Sequence, residues 1–215
     1  MENISCSDLT FIGKGANGEV YKYNKPLEPS GLSAVVKISR MCMPRFALEK
    51  YEMIKHAGVQ HLAFYEECNV DEKPALLMEN LFTDDEVYVS PNSIKNGYEN
   101  NLPESYLLQN KLNGITNMES LLMQMRDLAQ CLNGKGIGLD MDMISFGVKK
   151  GDKDSPVSYK LVDIDTMLQD DGCRNKLYDS NVIAAKEVLT IFIKHFVNGD
   201  EVKKKLLQDV DSFNW

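Results

Sequence analysis

Two short patterns near the beginning of the chain carry residues suited to holding phosphate. The first, G-x-G-x-x-G-x-V, consists of Gly13, Gly15, Gly18 and Val20. The second is Lys37, which stands within an apolar run. A turn without side chains lets backbone N–H groups approach phosphate oxygens, and a lysine supplies positive charge to the phosphates of a nucleotide. Together the two patterns predict a site for the phosphates of ATP.

Glycine-rich turns also open dinucleotide-binding folds, which are the main alternative for this pattern. Those folds place a helix directly after the glycines and an acidic residue about 20 positions further on. Here Glu19–Tyr23 alternates in polarity and is rich in residues that favour strands. The sequence therefore predicts a strand, a glycine turn and a second strand, and the dinucleotide interpretation is rejected.

The second half of the chain carries carboxylates suited to phosphoryl transfer. This reaction depends on charges positioned around the phosphates and on a carboxylate near the attacking hydroxyl. Asp140 follows a predicted helix, and Asp163 ends an apolar run. Two carboxylates held close together are costly unless cations lie between them. A cation such as Mg²⁺ is therefore expected wherever a fold brings two such aspartates together.

The elements that must position these residues begin with a sheet. Polarity and turn residues predict five antiparallel strands: Leu9–Gly13, Gly18–Tyr23, Ser33–Ile38, Leu62–Cys68 and Pro74–Met78. Pro44 introduces a helix over Arg45–His56, which Gly58 ends. Residues 83–115 are polar and rich in turn formers, which predicts mostly loop with one helix at Glu104–Leu112.

The clearest helix of the sequence follows this loop. Thr116–Glu119 forms a capping box that opens it, and Asn133 and Gly134 end it. Its apolar face consists of residues at helical spacing: Leu121, Met125, Leu128, Ala129 and Leu132. The remaining predicted elements are a hairpin and two helices: Ser145–Lys149 with Val157–Val162, then Asn181–Phe196 and Glu201–Phe213.

The order and spacing of these features resemble those of protein kinases over roughly residues 8–195. The matching features are the glycine loop, Lys37, a helix glutamate, an apolar strand that runs into a polar connector, and the two aspartates. The resemblance implies an α+β fold of two lobes, with an N-lobe over residues 1–81 and a reduced helical C-lobe over residues 82–215. It also implies the use of ATP and Mg²⁺.

The resemblance assigns roles around the nucleotide. Lys37 would pair with a glutamate of the following helix. Glu49 is preferred over Glu52 because it lies on the side predicted to face inward, but both remain open. Glu79 and Leu81, in the connector, would offer a backbone carbonyl and an N–H group to adenine.

The resemblance also assigns roles around the reacting groups. Asp140 takes the place of the catalytic base in the H-R-D motif, and Asp163 takes that of the main metal ligand. Ser145 stands five residues after Asp140, where an asparagine ordinarily holds a second metal. Asp142 remains an alternative, as metal ligand or as base. Asp179 is a candidate to hold the backbone of the catalytic loop, or else an ordinary helix cap.

Several residues differ from the kinase pattern, and these differences point to a smaller group of kinases. Leu139 replaces the H-R-D arginine and Asp165 replaces the D-F-G glycine, so control by a phosphorylated activation segment is not expected. Only 50 residues follow Asp165, too few for an activation segment and the usual substrate-binding helices, so we expect this segment to be lacking. Such a minimal chain resembles bacterial type III secreted effector kinases, in particular the HopBF family. That resemblance implies secretion into a host cytoplasm and phosphorylation of a serine on a heat-shock chaperone.

Composition excludes several classes of partner. The net charge is −8 and the pI about 5.0, with scattered lysines, so we expect no nucleic-acid partner. We find no secretory signal peptide and no run long enough to span a membrane. The five cysteines are widely spaced, which suits reduced thiols in a cytoplasmic compartment. We expect a monomer.

Two other functions remain open from the sequence. A kinase-fold module that binds nucleotide or protein without transfer is favoured by Ser145 and Asp165. A kinase of small molecules also fits the missing A-P-E motif, although the short second half leaves little room to enclose a substrate. Lys37, Asp140 and Asp163 favour an active Ser/Thr protein kinase.

Overall fold

The computed structural model describes residues 2–15, 18–27, 31, 33–39, 44–59, 61–63, 65–95, 102–162, 164 and 174–215. These residues form an α+β fold with two sheets and six α-helices in the described part. The α+β class predicted from the sequence is therefore confirmed. No helix within these ranges is both long and apolar enough to cross a membrane.

The first sheet is mixed and has six strands in the order β1-β5-β6-β4-β3-β2. The strands are β1 Glu2–Ile4, β2 Leu9–Gly15, β3 Gly18–Tyr23, β4 Ala34–Ser39, β5 Tyr65–Val70 and β6 Lys73–Glu79. The prediction of five antiparallel strands is wrong in one respect, because β1 adds a parallel strand beside β5. Three residues are too few to show a period, and Ile4 becomes buried only through its pairing with Val70.

The second sheet has three antiparallel strands, with β8 in the middle. They are β7 Glu86–Val89, β8 Ile144–Lys149 and β9 Ser158–Leu161. The hairpin of β8 and β9 was predicted, whereas β7 lies in the stretch predicted to be mostly loop. Val87 and Val89 are fully buried there because β8, distant in the sequence, supplies the pairing.

The helices are α1 Pro44–His56, α2 Pro91–Lys95, α3 Leu102–Gln109, α4 Met118–Gly134, α5 Arg174–Phe196 and α6 Asp200–Ser212. Four predicted helices are confirmed with small shifts at their ends. The predicted start of α5 is wrong, since the helix begins before Asn181, and the short α2 was not predicted. Gly58, which follows α1, has a φ of 84°, and Gly199, which precedes α6, has a φ of 76°. Both values lie in the left-handed region, as expected for glycines that end or separate helices.

The predicted capping box at the start of α4 is wrong. Asn117 is the N-cap residue, and its side chain makes no capping hydrogen bond. Its amide instead accepts from the Val157 N–H and donates to the Val157 carbonyl, both at 2.9 Å. The Thr116 hydroxyl donates to the Asp154 carbonyl. These side chains therefore fasten the turn between β8 and β9 to the start of α4.

A large hydrophobic core joins the second sheet to the helices. It contains the predicted apolar face of α4, which is fully or almost fully buried, together with α5 and parts of α1 and β6. A smaller core lies between strands of the first sheet, around Val36 and Leu77. The segment after α1 connects the two sheets: the Ala63 N–H donates to the Leu161 carbonyl, and the Leu161 N–H donates to the His61 carbonyl.

Candidate functional site

The glycine pattern forms the hairpin of β2 and β3. Gly13 pairs with Val20, and Gly15 pairs with Gly18; the turn residues at 16 and 17 lie outside the described residues. A Cβ added to Gly13 would meet no atom within 4 Å, and its φ is not in the left-handed region. Neither a close contact nor a left-handed φ therefore requires glycine at this position, which lies beside an irregularity in the pairing of β2 with β3.

Lys37 lies on β4, in the middle of the first sheet. It pairs with Val20 on one side and with Leu76 on the other, so Gly13, Val20 and Lys37 form one row across three strands. The side chain is 9% exposed. Lysine is almost never buried to this degree without a partner or a function. Lys37 lies on the side of the sheet that faces the large core, because its neighbour Leu76 belongs to that core. Val36, on the other side of the sheet, belongs to the small core.

The two candidate glutamates lie on the exposed side of α1. Tyr51 and Ile54 are the buried residues of the helix, whereas Glu49 and Glu52 are exposed. Glu52 contacts Lys55 and His56 of its own helix, each at 3.8 Å. Glu52, already held by these contacts on the outer surface, is therefore a poor partner for Lys37. The pairing of Lys37 with Glu49 stays a prediction.

The connector after β6 is fixed by hydrogen bonds to both sheets. The Asn80 N–H and side-chain amide donate to Ser33, at 3.1 and 2.9 Å. The Leu81 carbonyl accepts from the Tyr88 N–H at 2.9 Å. Glu79 forms an ion pair with Lys160 of β9, and both side chains are 22% exposed. Glu79 and Leu81 thus lie where the first sheet meets the second, and their backbone contacts to adenine stay a prediction.

The loop before Asp140 is held by a buried asparagine that sequence reasoning missed. Asn181 is fully buried on α5, donates to the Ile137 carbonyl at 3.0 Å and accepts from the Leu139 N–H at 2.7 Å. Asp179, the residue predicted to hold this loop, is exposed. The sequence did carry a signal for this role. Asn181 lies four residues before Ala185, at the spacing of one helix face, and both residues are buried on α5.

The two neighbouring aspartates have different surroundings. Asp140 is exposed and caps a 3₁₀ turn over Met141–Met143, its Oδ1 accepting from the Asp142 N–H at 3.3 Å. Asp142 accepts at its own Oδ1 from the Asn92 amide, at 2.7 Å. Asn92 is 7% exposed at the start of α2, a helix that was not predicted. Asp142 is therefore oriented by a buried partner, while Asp140 has the more accessible carboxylate.

The predicted metal ligands are only partly described. Ser145 is 5% exposed on β8 and pairs with Lys160, so a cationic residue is its cross-strand neighbour. Asp163 lies outside the described residues. Within the described ranges, no group of three or more histidine, cysteine or acidic side chains is placed to hold a metal ion. Asp140, Asp142 and Ser145 nevertheless offer oxygen donors, which is the chemistry that Mg²⁺ prefers.

Comparison with known proteins does not identify a family for this chain. No protein-family model matches the chain, and a search of curated proteins finds no match.

Proposed function

We propose that the chain is an ATP-dependent Ser/Thr protein kinase of the two-lobed kinase type. Residues 1–81 would be its N-lobe and residues 82–215 its minimal C-lobe. The observation that carries the proposal is the row formed by Gly13, Val20 and Lys37 across the first sheet. Its glycine has open space above it and its lysine is buried, which together suit a phosphate chain lying against the sheet.

The nucleotide would lie between the glycine hairpin and the second sheet. Gly13, Gly15 and Gly18 allow backbone N–H groups to reach the phosphates, and Lys37 supplies positive charge. Val20 covers the base from above. The connector, at Glu79 and Leu81, supplies backbone groups to the edge of adenine.

The transfer step needs a carboxylate beside the acceptor hydroxyl. We assign this role to Asp140, whose exposed carboxylate can take the proton as the hydroxyl oxygen bonds to the γ-phosphorus and the bond to the β-phosphate oxygen breaks. The products are a phosphorylated side chain and ADP. Asp142 remains the alternative base.

Asp163, together with Asp142 or Ser145, would hold Mg²⁺ at this site. When bound, it neutralises charge on the phosphates. Asp142 is the better second ligand, because Ser145 is nearly inaccessible and pairs with Lys160. The chain's own contribution is to fix the carboxylates, which Asn92 does for Asp142.

The substrate class proposed from the resemblance is a serine on a host protein, such as a heat-shock chaperone, reached after type III secretion. The main competing function is a nucleotide-binding module without transfer. Burial of Ser145 beside Lys160 favours that alternative, since it makes one of the proposed metal ligands nearly inaccessible.

The proposal is tested by incubating the purified chain with γ-labelled ATP, Mg²⁺ and a eukaryotic lysate. A kinase labels one or a few proteins, and Lys37→Met abolishes the labelling. ATP binding without any labelled protein or small molecule would support the binding module. Labelling of small molecules alone would support the third function considered above.

A further inference from the structure

The structure contains a cavity of about 170 Å³ that shares no lining residue with the proposed nucleotide site. It is enclosed by the segment after α1, the middle of α4 and strand β9. Its lining residues include Val59, His61, Asp127, Leu128, Cys131 and Tyr159. None of these residues has a role in the proposed phosphoryl transfer. A protein cavity of about 150 Å³ is large enough for benzene, so this one has room for a single six-membered ring.

The walls of the cavity are fixed by contacts between these three parts of the chain. Asp127 and Cys131 lie four residues apart and therefore share one side of α4. The Cys131 thiol donates to the Ala57 carbonyl at 3.1 Å, which holds the segment after α1 against α4. The His61 carbonyl accepts from the Leu161 N–H at 2.7 Å, which joins the same segment to β9. The cavity is therefore built into the fold.

The Tyr159 hydroxyl is the polar group that points to a ligand. Tyr159 is 4% exposed on β9, and its ring packs edge-to-face against the His61 ring, with 4.9 Å between the centroids. Within the described part of the chain this hydroxyl has no hydrogen-bond partner, although buried tyrosine hydroxyls usually have one. Burial raises the pKa of Tyr159 above its ordinary value of 10.0, and the cavity residues Asp127 and Cys131 raise it further. Because these two residues act on the phenol oxygen, the hydroxyl lies on the cavity side of the ring, where it keeps its proton and can donate a hydrogen bond.

The charges around the cavity favour a neutral ligand. Asp127, which is 65% exposed at the solvent side, is the charged side chain among the described lining residues, and its carboxylate repels anions. Burial lowers the pKa of His61 and the Lys160 ammonium lowers it further, so the imidazole is neutral at pH 7. The same ammonium opposes a second cation beside His61. An ion of either sign would also lose hydration on entering the cavity.

We propose that this cavity binds a neutral molecule with one aromatic ring and a carbonyl group, as found in an aromatic carboxamide. The carbonyl accepts a hydrogen bond from the Tyr159 hydroxyl, and the ring lies against Val59 and Leu128. The amide N–H group faces the Asp127 carboxylate. The ligand contacts β9 and the segment that joins the two sheets, and the site does not depend on the proposed transfer of phosphate.

The test is a set of NMR titrations of the full chain with four probes that share one ring: benzamide, benzene, benzoate and benzamidine. Benzamide should bind most tightly. Benzene lacks an acceptor and should bind about 2- to 10-fold more weakly, the factor expected for one hydrogen bond. Benzoate and benzamidine carry charges of opposite sign, and each should bind more than about 10-fold more weakly than benzamide.

Substitutions locate the ligand in the cavity. Tyr159→Phe removes only the hydroxyl, so it should weaken benzamide binding by about 2- to 10-fold and should not weaken benzene binding. Cys131→Met extends a side chain into the cavity and should weaken the binding of both probes. Tyr88→Phe removes a hydroxyl of the same sheet outside the cavity, and this matched control should bind every probe like the parent.

Three results would overturn the proposal. Failure of the folded parent to bind any probe at millimolar concentration would show that the cavity takes up water only. Equal affinity of Tyr159→Phe and the parent for benzamide would remove the hydroxyl from the site. Binding of benzoate or benzamidine as tight as that of benzamide would contradict the preference for a neutral ligand. If Cys131→Met does not fold, Val59→Phe fills the cavity from another wall and must show the same loss for benzamide and benzene.

Discussion

At the scale of single residues, the candidate chemistry depends on side chains that hold others in place. Asn181 fixes the backbone on both sides of Gly138, immediately before Asp140. Asn92 does the same for the Asp142 carboxylate. Neither asparagine needs to meet a substrate. Because both asparagines are buried, the fold itself sets the positions of the two aspartates.

Asn181→Ala should destabilise the chain. It removes two buried hydrogen bonds and leaves a donor and an acceptor of the loop without partners, at about 1–3 kcal/mol for each such group. The midpoint of urea unfolding should fall accordingly. Asp179→Ala, on the exposed side of the same helix, should leave the midpoint unchanged. Equal midpoints for the two variants would show that the loop does not depend on Asn181.

Alanine variants of the aspartates should separate binding from transfer. Asp140→Ala should keep ATP affinity and reduce turnover by about 100- to 10,000-fold, as expected for loss of a general base. Asp163→Ala should lose affinity for Mg²⁺-ATP as well as turnover. Affinity from calorimetry and turnover from labelled ATP provide the two readouts. If Asp142→Ala is inactive while Asp140→Ala retains near-parental turnover, the base is Asp142.

At the scale of elements, α2 and α3 meet at a buried carboxylate that supports the aspartate site. Glu104 of α3 is 4% exposed, and its Oε1 accepts from the Ser90 N–H at 3.1 Å and the Ser93 hydroxyl at 2.9 Å. Its Oε2 is buried without a hydrogen-bond partner in the structure. Burial raises the pKa of Glu104 above its ordinary value of 4.5. The contact fixes the start of α2, from which Asn92 reaches Asp142.

Glu104→Gln should stabilise the chain in a pH-dependent way. Because the folded-state pKa is raised, the protonated form contributes stability below pH 4.5, and this is lost as the pH rises through the folded-state value. The glutamine stays neutral, so its melting temperature relative to the parent should increase over that interval. Melting curves at several pH values provide the measurement. A difference between the two proteins that is independent of pH would contradict this account.

The same elements show how much the sequence could predict. Strands β2 to β6, the hairpin of β8 and β9, and helices α1 and α3 to α6, apart from the start of α5, follow from local period and turn residues. The row of Gly13, Val20 and Lys37 depends on the register between strands, which the sequence did not predict. Strands β1 and β7 are too short to show a period, and they exist because β5 and β8 pair with them. The contact between Tyr88 and Gly147 could not be predicted, because these residues meet only once β7 pairs with β8.

At the scale of the whole molecule, the proposed nucleotide site lies where the two sheets meet. The segment after α1 joins them through hydrogen bonds between His61, Ala63 and Leu161. The Cys131 thiol, which donates to the Ala57 carbonyl, ties α4 to the same segment. The pair of Glu79 and Lys160 adds a contact on the connector side. A ligand that touches both sheets should therefore stabilise the entire chain.

The most direct test of the central claim is thermal unfolding with and without Mg²⁺-ATP, for the parent, Lys37→Met and Lys22→Met. At 100 times the dissociation constant a ligand adds about 2.7 kcal/mol, which raises the melting temperature by about 5–10 °C for a chain of this size. The parent should show this shift, and Lys37→Met should lose most of it. Lys22→Met changes an exposed lysine on the adjacent strand β3 and should keep it. No shift in the folded parent at millimolar Mg²⁺-ATP, or an equal shift in Lys37→Met, would contradict the nucleotide site.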